Sequence, residues 1–133
     1  MYLRFISPLR SRMRGVDLGI FQCAIDCREN TIYPAYLRTA IREETDWFNE
    51  YLPAPKEGAF GIKSRKRMIN VGICWFKCSA DEMINHAFAL KALLGECGVG
   101  IKIVGTKYPG QILYVDDFQI VAKPDATTPT KWG

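Results

Sequence analysis

Histidine and long apolar runs are what this sequence has least of. His86 is the only histidine among the 133 residues, so a nucleophile–base pair that relies on an imidazole would have to use it. No window approaches the ~18 apolar residues of a membrane-spanning helix. The apolar run after Met1 is too short for a secretory signal peptide. We therefore expect a cytoplasmic protein with no membrane segment.

Disulfides and a zinc site are also not expected. The five cysteines are an odd number and form no dense framework, which is typical of reduced thiols. Cys23 and Cys27 lie on a predicted helix. Cys74 and Cys78 are four apart on a predicted strand, where that spacing spans ~13 Å, too far to share one zinc. We expect no metal and no cofactor, and we interpret Cys23, Cys27, Cys74 and Cys97 as small core residues.

The composition is that of one globular domain. Apolar residues make up 48% of the chain and charged residues 24%, which is ordinary for a domain that buries a core. The net charge of +4 permits an acidic partner without requiring one. No internal repeat is present. We expect a single domain over residues 1–124 and a flexible tail over residues 125–133.

The second half of the chain has the clearest pattern. Residues 71–77 are apolar on both alternating faces, which indicates a central strand. Ser79 and Glu82 fit a capping box at the start of a helix over residues 80–97, and Gly98 fits a left-handed stop. The apolar stripe of this helix comprises Met83, Ala87, Leu90, Leu94 and Cys97. Strands are predicted over residues 101–104, 112–115 and 118–122, with a type II turn at 108–111.

The first half predicts one strand and two helices. A strand over the first six residues is followed by a basic loop over 7–15 and a helix over 17–28. A second helix begins at Pro34, and residues 56–67 form a mobile connection. The predicted order is β-α-α-β-α-β-β-β. We expect an α+β two-layer sandwich in which one mixed or mostly antiparallel sheet carries helices on one face.

Tyr114-Val-Asp-Asp117 copies the acidic hairpin of reverse-transcriptase palms. Two-metal chemistry needs carboxylates from more than one element, and neither the first strand nor residues 71–76 carries an acid. We therefore interpret Asp116 and Asp117 as an acidic turn, a hairpin in preference to a bulge. The remaining catalytic candidates are His86 and Cys74, with Asp116 and Asp117 as acids.

Two groups of side chains could form a binding surface. Trp47, Phe48 and Tyr51 lie near the end of the second helix and could contact a protein partner. Seven basic residues in predicted loops suit phosphate contacts with a nucleic acid. These are Arg10, Arg12, Arg14, Lys63, Arg65, Lys66 and Arg67.

Several short motifs resemble a group of small uncharacterised bacterial proteins. They are Arg4-Phe5, Gly19-Ile-Phe-Gln22, Trp47-Phe48-Asn49, Ile73-Cys-Trp-Phe-Lys77, Pro109-Gly110 and Tyr114-x-Asp-Asp-x-x-Gln119-x-Val-Ala122. The resemblance implies a bacterial or phage source and a stand-alone cytoplasmic domain. It implies no activity.

The sequence favours a non-enzymatic interaction or regulatory module that binds a protein partner, in a phage or mobile-element setting. It contains no converging set of catalytic groups, whereas it has aromatic residues that could lie on the surface. One alternative is a nucleic-acid-binding protein that uses the basic loops. Another is a small enzyme that uses His86 with a nearby cysteine or acid.

Overall fold

The computed structural model describes residues 1–10, 17–55, 61–64, 67–70 and 72–129. Within these ranges the chain forms three helices and eight strands. The helices are α1 (Ile20–Glu29), α2 (Ala35–Tyr51) and α3 (Asp81–Glu96). The strands are β1 (Tyr2–Arg10), β2 (Asp17–Gly19), β3 (Gly61–Ser64), β4 (Arg67–Asn70), β5 (Ile73–Lys77), β6 (Lys102–Thr106), β7 (Gln111–Val115) and β8 (Gln119–Lys123).

Six of these strands form one sheet in which every described pair is antiparallel. Strand β1 pairs with β2, β5 and β6. At Ile6 its two partners are Gly19 and Lys102, which places β2 and β6 on opposite sides of β1. The sheet continues from β5 to β8 and then to β7, while β3 and β4 form a separate hairpin.

Strands β5 and β6 run in the same direction, because both are antiparallel to β1, which lies between them. Helix α3 connects them, so the unit is a β-α-β crossover that spans one inserted strand. The predicted α+β class is confirmed. The sheet was expected to be mixed or mostly antiparallel, and it is antiparallel in its described pairing.

The helices cover one face of the sheet. Phe5 of β1 and Phe76 of β5 pack with buried residues from all three helices. Trp75 belongs to a second apolar cluster with Ile73, Ile120 and Ala122. Since neighbouring side chains of a strand point to opposite faces, Trp75 and Phe76 lie on different sides of the sheet. Their exposed fractions are 1% and 6%, so β5 is buried on both faces, as its sequence predicted.

Helix α3 has the predicted stripe but not the predicted cap. Met83, Ala87, Leu90 and Leu94 are buried. The capping box was wrong: the N-cap is Ala80, and no side chain caps the helix. The Ala80 amide donates to the Lys77 carbonyl and the Asp81 amide to the Ser79 carbonyl, so Ser79 is part of a turn that precedes the helix. At the other end Gly98 has a φ of 82°, as the predicted stop requires.

Two predictions for the first half were wrong. The segment from Asp17 to Gly19 is a strand, not the first turn of a helix, and β1 extends through Arg10, where a loop was expected. These two segments pair with each other. The predicted element order also placed no strand in the connection over 56–67, whose described part includes β3 and the first residue of β4. Pairing between separate segments stabilises these strands, and local composition does not report it.

The described part of the predicted tail contains a hydrogen-bonded turn. The Asp125 amide donates to the Thr128 hydroxyl, and the Thr127 amide donates to the Asp125 carboxylate. The Thr128 hydroxyl donates to the Tyr108 carbonyl at 3.2 Å. Thr128 is 8% exposed, so residues 125–128 pack beside the segment that precedes β7.

The conformation of the segment that precedes β7 depends on one glycine. Gly110 has a φ of 102°, a conformation that side chains with a Cβ rarely adopt. A Cβ at this position would lie 1.9 Å from the Lys123 carbonyl oxygen. The type II turn predicted over 108–111 was wrong, since the backbone bends at Lys107 and forms no turn over 108–110. The glycine is required there by its own backbone conformation and by the space against Lys123.

We expect Gly110→Ala to lower the free energy of unfolding by about 2–4 kcal/mol, because it adds a backbone clash to an unfavourable φ. Gly95→Ala is the matched control, since Gly95 lies in α3 with nothing within 4 Å of the added Cβ. That change should be neutral or stabilise by up to about 1 kcal/mol. Urea unfolding of both variants checks the prediction, and equal stabilities would contradict it.

Candidate functional site

Helix α2 places its aromatic residues in different environments. Phe48 is 4% exposed, so this candidate for the partner surface belongs to the core instead. Trp47 is half-buried, and Tyr51 is 52% exposed. Trp47 and Tyr51 are four residues apart and lie on one side of the helix, whereas Phe48 is turned into the core. The possible contact surface therefore consists of Trp47 and Tyr51.

His86 on α3 completes an aromatic cluster with these residues. Its ring stacks on Trp47 with centroids 3.5 Å apart and an interplanar angle of 10°. The ring centroids of Tyr51 and Trp47 are 5.1 Å apart. The His86 Nδ1 atom is 2.7 Å from a Glu44 carboxylate oxygen. Hydrogen bonding and stacking together hold the imidazole in one orientation between α2 and α3.

Acidic residues surround this cluster on α2. Glu43, Asp46 and Glu50 are exposed. Glu43 and Glu50 lie four and three positions from Trp47, on its side of the helix, and Asp46 precedes Trp47 in the sequence. We call Glu43, Asp46, Trp47, Glu50 and Tyr51 the acidic aromatic face. It is negative on a chain whose net charge is +4.

The His86–Glu44 contact supplies half of a catalytic arrangement. A carboxylate that orients an imidazole is the outer part of a triad, and the inner part is a nucleophile on the other ring nitrogen. Within the described part of the chain, Glu44 is the hydrogen-bond partner of His86. Sequence reasoning placed His86 beside a cysteine or an acid, and the structure provides the acid.

The predicted acidic turn is a hairpin held by Asp116. One carboxylate oxygen accepts from the Phe118 and Gln119 amides, and the other accepts from the Tyr114 hydroxyl and the Gln119 side chain. Burial opposes ionisation, but these four hydrogen bonds lower the pKa of Asp116. Asp116 is thus a structural acceptor. Asp117 is exposed beside it.

Cys74 lines a pocket of about 300 Å³ on the helix-covered side of the sheet. Burial raises the pKa of its thiol to about 12, so the thiol is neutral at physiological pH and a poor nucleophile. Neither His86 nor Asp116 lines this pocket. The structure therefore does not bring the three catalytic candidates together there.

Three other thiols meet where α1 approaches the end of α3. Cys23, Cys97 and Tyr33 lie close enough to Cys27 for each of them to influence the pKa of its thiol. Burial is the main cause that raises the pKa of Cys23, to about 12, and it also raises the pKa of Cys27 and Cys97. These thiols act as the core residues that the sequence predicted. Among the described residues, no group of three or more potential ligands could hold a metal ion.

The side chains of the basic residues proposed for nucleic-acid contact lie outside what the structure describes. Arg12, Arg14, Arg65 and Lys66 fall in the gaps between the described ranges. Arg10, Lys63 and Arg67 lie in strands β1, β3 and β4 by their backbone. Their predicted role stays a prediction.

Comparison with protein-family models, with curated protein sequences and with solved structures finds no match. No described helix has the length and apolar character needed to cross a membrane. The function of the protein is therefore inferred from the geometry of the site.

Asp116→Asn should lower the free energy of unfolding by about 1–3 kcal/mol at pH 7, because an amide nitrogen replaces an acceptor for the Tyr114 and Gln119 donors. The folded-state pKa of Asp116 lies below its unfolded value. Its contribution is therefore fully present above the unfolded pKa, about 4, and is lost as pH falls through the folded pKa.

Urea unfolding at several pH values checks this, and the difference between wild type and Asp116→Asn should shrink as the medium becomes acidic. Asp117→Asn is the control. Its side chain is exposed, so it should change stability by less than about 0.5 kcal/mol. A difference that stays constant across the acidic range would contradict the assignment.

His86→Ala should lower the free energy of unfolding by about 1–2 kcal/mol, since it removes both a stacked ring and the hydrogen-bond partner of Glu44. Tyr51→Ala should cost less than about 0.5 kcal/mol, because that ring lies at the exposed edge of the cluster. Chemical unfolding distinguishes the two. Equal losses would contradict the assignment of His86 as the residue that anchors the cluster.

Proposed function

We propose that the protein is a non-enzymatic binding module and that the acidic aromatic face of α2 is its partner surface. The observation that carries the proposal is an aromatic ring 52% exposed, Tyr51, in the part of α2 that also carries three exposed carboxylates. A fixed half-buried ring, Trp47, lies beside it. Aromatic anchors ringed by polar groups are typical of protein contact surfaces.

The chemistry of this face favours a partner segment that carries lysine or arginine. A cation placed over the Tyr51 or Trp47 ring gains about 0.5–2 kcal/mol. The carboxylates of Glu43, Asp46 and Glu50 attract the same cation and accelerate its approach. Because the His86–Glu44 contact and the stacked ring hold Trp47 in place, little side-chain entropy remains to be lost on binding.

A small enzyme that uses His86 is the second candidate, and the 2.7 Å contact with Glu44 favours it. It ranks below the binding module because Cys74 lines a pocket that does not include His86, and because the Asp116 carboxylate accepts four hydrogen bonds within its own hairpin. Nucleic-acid binding through the basic residues, a bacterial or phage source and a cytoplasmic location remain proposals drawn from the sequence.

The partner surface can be tested with short model peptides. We expect a flexible peptide with two arginines to bind more tightly than its citrulline counterpart, and the difference to shrink with added salt. NMR shifts of the Trp47 indole should report binding. Tyr51→Ala with Glu50→Gln should weaken the arginine peptide about tenfold, equivalent to about 1.4 kcal/mol.

Tyr36→Ala is the matched control, because Tyr36 lies near the start of the same helix and is 68% exposed. It should leave the affinity unchanged. Equal binding of the arginine and citrulline peptides would refute the cationic partner. An equal effect of the Tyr36 and Tyr51 changes would refute the assigned face.

A further inference from the structure

A second feature of α2 lies away from the acidic aromatic face. The pocket of about 300 Å³ is bounded by α1, by the C-terminal half of α2 and the residues that follow it, and by β5 and β8. We call it the α1–α2 pocket. A cavity of about 150 Å³ lined by apolar side chains holds benzene, so this pocket has room for a body about twice that size.

The walls of the α1–α2 pocket are mainly apolar. Phe21, Ile25, Phe48, Leu52 and Pro55 contribute rings and aliphatic groups. The Cys74 thiol adds a neutral surface, since burial raises its pKa to about 12. None of the described residues in the lining carries a carboxylate. An uncharged, hydrophobic body is therefore the part of a ligand that these walls suit.

The pocket is held open by contacts between distant segments. The Gln119 side chain donates both to the Pro53 carbonyl and to Asp116. These hydrogen bonds connect the segment after α2 to the first residue of β8. Gln119 is 3% exposed. A wall fixed by such a contact forms without a ligand, which lowers the cost of ordering on binding.

Among the described residues that line the pocket, Arg28 is the one cation, and two hydrogen bonds fix the orientation of its side chain. Its Nη1 atom donates to the Thr45 hydroxyl at 2.7 Å, and its Nε atom donates to Glu29 at 3.2 Å. The side chain is 20% exposed. A guanidinium has five N–H donors, so donors remain for an acceptor in the pocket. The Glu29 side chain, 60% exposed, faces solvent, where its charge is screened.

We propose that the α1–α2 pocket binds a small organic carboxylate, with its aryl or alkyl body against the apolar walls and its carboxylate on Arg28. The planar fork of a guanidinium matches two carboxylate oxygens. An apolar body joined to one anionic head suits both parts of the lining, whereas a neutral apolar ligand offers no acceptor to the Arg28 donors that Thr45 and Glu29 leave available. The assignment is independent of the partner surface proposed above.

The test uses the intact protein and a series of aryl- and alkyl-carboxylates of about eight to twelve non-hydrogen atoms, each paired with its primary amide. 4-Phenylbutyrate with 4-phenylbutyramide is one pair. NMR titration should give saturable binding, with the carboxylate favoured over its amide about tenfold. Shifts should map to the lining residues.

Alkylation of Cys74 gives an independent readout. Trypsin cleavage after Lys77 separates Cys74 from Cys78, so mass spectrometry can follow the two thiols individually. A bound carboxylate should slow the alkylation of Cys74 and leave that of Cys78, which is exposed, unchanged. Equal protection of Cys74 and Cys78 from alkylation would show that the carboxylate binds outside the α1–α2 pocket.

Arg28→Gln should abolish the preference for the carboxylate and leave binding of the amide unchanged. Arg42→Gln is the matched control. Arg42 also contacts Glu29, at 3.7 Å, but does not line the pocket, so its loss should leave the preference intact. Ile25→Trp places a larger side chain at a partly exposed position in the pocket wall and should reduce binding of both probes. This variant tests the pocket if Arg28→Gln unfolds the protein.

Three results would overturn the proposal. The first is no saturable binding of any carboxylate. The second is equal affinity for carboxylates and amides, which would indicate a simple apolar cavity. The third is an unchanged preference in a folded Arg28→Gln variant.

Discussion

Burial of β5 on both faces is the constraint on which the other elements depend. Phe76 packs beneath the helices and Trp75 packs on the opposite side. A strand with two apolar faces must lie inside the sheet, so it needs a neighbour on each side, and β1 and β8 fill those positions. Helix α3 must then cross over β1 to reach β6. The sheet order and the site of helix packing both follow from this one strand.

Helix α2 contacts the core on one side and carries the acidic aromatic face on the other, because the residues on its two sides differ in polarity. Ile41, Thr45 and Phe48 face inward and are buried, and Thr45 and Phe48 also line the α1–α2 pocket. Trp47 and Tyr51 face the other way, among acids. The Thr45 hydroxyl accepts from Arg28 and donates to the Arg42 carbonyl, so this polar side chain is buried with its hydrogen bonds made.

The sequence predicted the elements that local periodicity determines and missed those that distant pairing determines. The α3 stripe and the hairpin at Asp116 follow from spacing and turn chemistry within a few residues. Strand β2 forms because residues 17–19 pair with the end of β1, a contact that no short window contains. The His86–Glu44 contact joins residues 42 apart, and the pocket draws its lining from four elements. Single-sequence patterns carry no signal for such contacts.

Binding is favoured over catalysis by the state of the titratable groups that the structure describes. Catalytic residues need a perturbed pKa together with a free path to a reacting atom. Asp116 has its carboxylate occupied by four donors, and the Cys23 and Cys74 thiols are held neutral by burial. His86 has an orienting acid but stacks flat on Trp47. The reactive groups are thus used to stabilise the fold, whereas Tyr51 and the Arg28 donors are oriented toward solvent-accessible space, where a ligand or a partner can reach them.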